Sequence, residues 1–166
     1  MLKNFEIVLE DKMIEYFLKL IKYNEWANKI LIDSLKLQNI SSEAIMKILS
    51  HILLSEHIWM LRMQKGEYEN LDFWKPLNIE ECIKFAKDNS SVYFSYLNKM
   101  EEKNLKKIIH YKNSKGNEYS NTIEDILTHV SHHSAYHRAQ IAREIRRLNL
   151  NPPLTDYIAF VREKSK

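Results

Sequence analysis

His133 and His137 stand four residues apart in the run His129-Val-Ser-His-His133-Ser-Ala-Tyr-His137, and residues at that spacing share one face of a helix. Ile126, Val130, Ile141, Ile145 and Leu148 fall on the same face, so the two imidazoles occupy the middle of a stripe that reads as core. A buried polar group costs free energy unless something satisfies it, and two imidazoles one turn apart need two partners. Two readings meet that need. Either both are core histidines bonded to tyrosines or carbonyls, or both converge on one metal ion inside the fold.

A metal would take its third ligand from another helix. His51 lies among Ile48, Leu54 and Ser55 on a largely apolar face. Alone it would read as a satisfied core histidine; beside an unexplained pair it reads as the third ligand. The other histidines fit less well. His57 is rotated away from His51 and His110 falls outside the helices, so both are expected at the surface, and His132 points to the flank. His129, one turn before His133, either lines the site or buttresses it. Three histidines without a fourth protein ligand describe an open site, whose remaining position takes water or substrate. Neutral imidazoles leave the ion its full charge, enough to lower bound water to a pKa of about 7 or to stabilise a thiolate. Zinc, nickel and ferrous iron all accept such a set.

The elements that carry these residues are helical. Met13, Phe17, Leu20, Asn24, Ala27 and Leu31 share a face of a helix expected over about residues 11–37. A second helix opens after Ser41 and Ser42, turns Ile45, Ile48, Leu49, Ile52, Trp59 and Met63 inward, and stops near Gly66. Asn78 and Glu81 resemble a capping box at the start of a third, with Leu77 placed to staple onto Cys82 and a stripe through Ile83, Ala86, Tyr93, Leu97 and Met100. A fourth runs from near Thr122 to about Leu148, ended by Asn149-Leu150-Asn151-Pro152-Pro153. Before it, 108–112 and 118–120 flank a Gly116 turn as a small hairpin or extended loop, and Thr155 to Arg162 suits a short terminal helix. The expected fold is an all-α four-helix bundle in one domain, residues 1–166.

Composition narrows the function classes. With two glycines, the chain cannot build a phosphate-cradling loop, and one cysteine, Cys82, excludes an intrachain disulfide or a multi-thiolate site. The net charge of +3 is too small to argue for nucleic acid. Arg138, Arg143, Arg146 and Arg147 crowd one segment with Glu144 among them, which reads as a solvated helix end. No window of about 18 residues is free of charge, so no membrane span is expected. Met1 to Lys12, with Glu6, Glu10 and Asp11, lacks the apolar run of a signal peptide. A cytoplasmic protein is the expectation.

His51-Ile-Leu-Leu-Ser-Glu-His-Ile-Trp59 and His129-Val-Ser-His-His133-Ser-Ala-Tyr-His137-Arg-Ala-Gln-Ile141 together resemble the DinB-like (damage-inducible) family. Tyr23-Asn24-Glu25-Trp26-Ala27-Asn28 and the Gly116 turn extend the resemblance over nearly the whole chain. It implies an up-down-down-up bundle and a divalent metal on His51, His133 and His137. Ala139 departs from the pattern, where the family usually has glycine, and His132 stands where asparagine is common. Relatives of this kind look like thiol S-transferases using bacillithiol or mycothiol, a thiol-dependent isomerase, or metal-dependent hydrolases. The resemblance therefore implies a metal-dependent transferase or hydrolase, a low-molecular-weight thiol as a candidate cofactor, and a homodimer. A non-catalytic metal-binding stress or DNA-damage-response protein is the alternative. For a general base, His129 and Tyr136 are the candidates near the ligands. Arg138 and Gln140 read as helix braces, Trp26 and Trp59 as core, Tyr23 as a buried hydroxyl with a structural partner, and Cys82 as a small core residue.

Overall fold

The structure, a computed structural model, describes residues 2–65, 72–113 and 115–165, with the backbone alone for 2–11 and 65. Its elements in order are α1 (Leu2–Leu37), α2 (Glu43–Lys65), α3 (Ile79–Asn98), a 3-10 turn (Glu102–Lys106), β1 (Ile108–Lys112), β2 (Glu118–Thr122), α4 (Ile123–Arg147) and α5 (Tyr157–Lys164). α1 begins earlier than its apolar stripe, and Met13, expected on the inner face, is 42% exposed. Gly66, the expected stop of α2, lies outside the described residues; the helix reaches Lys65.

Local chemistry sets the boundaries. Asn78 accepts from the Glu81 N–H, and the Glu81 carboxylate accepts from the Asn78 N–H, a complete capping box. Thr122 and Asp125 repeat the device at the start of α4. With glycine scarce, asparagine ends two helices. Asn39 (φ 51°) and Asn149 (φ 58°) adopt the left-handed conformation. The following N–H groups close back onto the helices, Ile40 to the Leu35 carbonyl and Leu150 to the Ile145 carbonyl. These are Schellman closures. The second corrects the expected stripe of α4. Leu148 is 47% exposed, and Leu150, carried inward by the turn, packs on the core instead. In the hairpin, β1 and β2 pair antiparallel with Ile108 opposite Thr122 and Lys112 opposite Glu118. Asn113 Oδ1 accepts from Lys115 and Asn117 N–H groups around Gly116, whose φ of +81° suits glycine.

Cross-helix bonds give the topology. Leu77 N–H donates to Ser50, Asn89 to the Leu53 carbonyl and Tyr93 to the Glu56 carbonyl, so α2 and α3 run parallel. α4 runs antiparallel to α2, since His51 meets His137 while Trp59 meets His129. α1 and α4 run parallel, Phe17 and Leu20 clustering with Ile126 and Leu31 with Ile141. The order is up-down-down-up.

Two apolar clusters fill the bundle. One gathers Phe17, Met60, Leu97, Ile126 and Val130; the other gathers Leu35, Leu49, Leu53, Cys82, Ile141 and Ile145. Between them each of the four long helices contributes buried polar residues: Asn24 and Asn28, Glu56, Asn89, and Ser134 with Arg138. The stretch Glu43–Gln64 is apolar and long enough to cross a membrane by composition, but 61% of that window is buried inside the bundle, as befits a core helix. α5 docks on α1 through Phe160, which is buried against Tyr23 and Trp26.

Candidate metal centre

α2 and α4 place His51, His133 and His137 side by side, with one ring nitrogen from each within 4.8 Å of the others. His51 and His137 are 8% and 9% exposed, and His133 is half-buried. The Nε2 atoms of His51 and His133 are 3.2 Å apart. Nitrogens bound to one tetrahedral ion at about 2.0–2.1 Å lie about 3.3 Å from each other, so this spacing suits a shared ion.

Two of the rings are aimed from behind. His51 Nδ1 donates to the Phe73 carbonyl at 3.1 Å, and His137 Nδ1 donates to Gln140 Oε1 at 3.0 Å. A carbonyl oxygen only accepts, so each proton stays on Nδ1 and the Nε2 lone pair is left for an ion. Burial lowers the His51 pKa against the raising effect of the Phe73 bond, with His137 adding a smaller lowering. At His133, burial first and then His137, His51 and His129 lower the value to about 3. Neutral imidazole is the ligating form. Trp74 lies flat on His51, ring centroids 3.8 Å apart and planes 3° apart, while remaining 44% exposed.

The remaining sequence candidates separate cleanly. His129 is exposed, with its ring 5.3 Å from His133 and 5.2 Å from Trp59. Tyr136 is 64% exposed, with its ring 5.1 Å from His137. Both border the cluster without joining it. His132 is exposed and donates to the Thr128 carbonyl of its own helix, and exposed His110 pairs with Ser120 on the hairpin. His57, expected at the surface, is half-buried, its ring edge against Phe85. Cys82 is fully buried, and burial pushes its thiol up to about 12, which removes it as a nucleophile.

Arg138 braces helices as expected, donating to Asn28 and Asn24 of α1. It is buried, and Arg143 and Arg147 pair with Glu144, so the arginine-rich segment is spread over different environments. Gln140 differs from expectation. It holds a candidate ligand instead of bracing a neighbouring helix.

Sequence reasoning passed over Phe73, Trp74 and Glu56. The first two come from a connection without periodicity and left no signal. Glu56 left one. The inward positions 45, 49, 52, 56, 59 and 63 of α2 form one stripe, and Glu56 is its single charged member. It is 6% exposed; burial raises its carboxyl above the usual range, while Ser134, Asn28, Arg138 and Asn89 pull it back.

Fold and site together define a helical bundle with three converging imidazoles that could hold a metal ion. Residues 9–165 match the DinB family, and the chain belongs to it. It is similar to Protein DinB of Bacillus subtilis (strain 168), 28% identical over 162 residues that span 87% of this chain and 93% of that one. The crystal structure of a DinB-like protein from Bacillus cereus ATCC 10987 superposes with a TM-score of 0.59 at 15% identity, covering 84% of this chain and 95% of the other. That likeness confirms the fold.

Proposed function

We propose that the protein is a cytoplasmic, divalent-metal-dependent enzyme whose centre is His51, His133 and His137, with transfer of a low-molecular-weight thiol ranked ahead of hydrolysis. The observation that carries it is the convergence of three ring nitrogens within 4.8 Å, two of them on rings whose Nδ1 protons are already committed to acceptors. A bound divalent ion would supply Lewis acidity to whatever fills its remaining position. Around it, Trp74 covers His51 on one side, and His129 and Tyr136 border the other two ligands as the candidate proton-transfer groups. The buried Cys82 offers no nucleophile, and the thiol preference rests on the family resemblance. A second copy of the chain is the proposed partner, on the family resemblance; sedimentation as a monomer would remove that part.

Elemental analysis should find about one divalent transition metal per chain. His133→Ala or His137→Ala should abolish stoichiometric uptake, and His51→Ala should at least weaken it. Full retention in all three would end the reading. Metal-loaded protein is then offered monochlorobimane with and without bacillithiol. Conjugation that requires both metal and His137 supports the transferase, ester or amide turnover without thiol supports the hydrolase, and neither under any metal leaves a metal-binding protein without catalysis.

A further inference from the structure

Glu56 is the charged residue of the buried polar layer on α2, and nothing in the metal chemistry uses it directly. Its side chain accepts from Asn28 of α1 at 3.2 Å and from Ser134 of α4 at 2.8 Å. Asn89 of α3 reaches it at 3.5 Å, and its own backbone carbonyl accepts from Tyr93 of α3 at 2.8 Å. One residue therefore hydrogen-bonds all three neighbouring helices. Asn28 also accepts from Arg138, which extends the network back to α4. The two α4 members, Ser134 and Arg138, directly follow the ligands His133 and His137 in sequence, so on α4 the polar layer and the imidazoles are adjacent stripes.

We propose that Glu56 is the positioning residue of this centre, fixing the register in which α2 delivers His51 to His133 and His137; the inference rests on the metal reading above. A slip of one residue along a helix moves a side chain by about 1.5 Å and turns it by about 100°, whereas metal–ligand distances hold to within about 0.2 Å. The apolar clusters on either side of the layer are non-directional and tolerate small slides. The Ser134–Glu56 bond is directional and spans the two helices that carry the ligands. Shielded among buried partners, it holds its geometry with little competition from water. Glu56→Gln keeps the volume but turns an amide N–H2 toward donors that previously met a carboxylate, so the layer must rearrange.

The test compares wild type, Glu56→Gln, Ser134→Ala and Tyr93→Phe for zinc affinity by chelator competition, the cobalt(II) absorption spectrum, and metal-free stability. Tyr93→Phe removes a bond from the same layer without touching the carboxylate, and serves as the control for plain destabilisation. The expected result is a folded Glu56→Gln with zinc affinity down at least about tenfold and an altered cobalt band, the scale seen when groups behind ligands are removed. Ser134→Ala should show a smaller loss in the same sense, and Tyr93→Phe should melt earlier but bind zinc as wild type does. A folded Glu56→Gln with wild-type affinity and spectrum overturns the proposal, as does an affinity loss in Tyr93→Phe matching its stability loss. If Glu56→Gln does not fold, Ser134→Ala decides, and wild-type affinity there overturns it. Wild-type protein that takes up neither zinc nor cobalt sinks the metal reading and this inference with it; uptake by wild type with unchanged variants sinks this inference alone.

Discussion

His133 is kept neutral by burial and by the three imidazoles around it, which hold its pKa near 3 against an ordinary 6.5. The depressed value means that the unfolded chain binds the proton more readily than the folded one. The stabilising effect of neutral His133 is thus complete above about pH 6.5 and is lost progressively as the pH falls toward 3. His51 acts in the same sense. Glu56, with its raised carboxyl, acts in the opposite one. Metal-free protein should therefore lose urea resistance on acidification below about pH 6.5 more steeply than metal-free His133→Gln; equal slopes would contradict the assignment. Gln140→Leu, which takes away the acceptor behind His137, should weaken zinc binding by about 10–100-fold in a chelator competition, and unchanged affinity would leave Gln140 a bystander. At this scale the site was legible wherever a polar side chain interrupts an apolar stripe. His51, His133 and His137 do so, and Glu56 does too, although the reading followed only the histidines. Phe73 was not legible because its contribution is a backbone carbonyl, which no side-chain pattern announces.

The elements were legible where a local rule fixes them. The Asn78–Glu81 box and the apolar stripes located the starts of α2, α3 and α4, and the end of α4, to within a residue or two. What escaped depended on how a turn redirects the chain. Leu148 keeps the period of its helix, but the left-handed Asn149 carries the next residue inward and leaves Leu148 at the surface. The parallel run of α2 and α3 likewise has no periodic signature, and came only from the family resemblance. α5 is the element whose attachment is most concentrated. Phe160 is 3% exposed, Trp26 Nε1 donates to Glu163, and the Tyr23 hydroxyl donates to the Thr155 carbonyl. Tyr23 also lies 5.1 Å beneath the Arg138 guanidinium, so the docking reaches the polar layer. Phe160→Ala should cost about 3–5 kcal/mol in urea unfolding, the usual range for a buried phenylalanine. Asn78→Ala, at an exposed cap, should cost about 1 kcal/mol. Comparable losses would mean that α5 is a loosely held appendage.

For the molecule as a whole, the balance between metal and core decides whether the bundle needs its ion. Apolar clusters lie on both sides of the polar layer and draw on all four long helices. The layer has a dense hydrogen-bond network in which the one carboxylate, Glu56, has its partners from protein groups. Neither depends on a metal for its cohesion, unlike a zinc finger, whose ligands are most of its fold. The histidines sit at one flank of this layer, with His51 and His137 already held by Phe73 and Gln140. A ligand that binds the folded state alone still adds stability, in proportion to the logarithm of its concentration over its dissociation constant. Chelation should therefore lower the melting temperature while leaving the helical circular dichroism at room temperature largely intact. The shift should grow with added zinc and vanish in His137→Ala, which has lost the site. Loss of helicity on chelation at room temperature would show that the ion carries folding energy that the two apolar clusters do not supply.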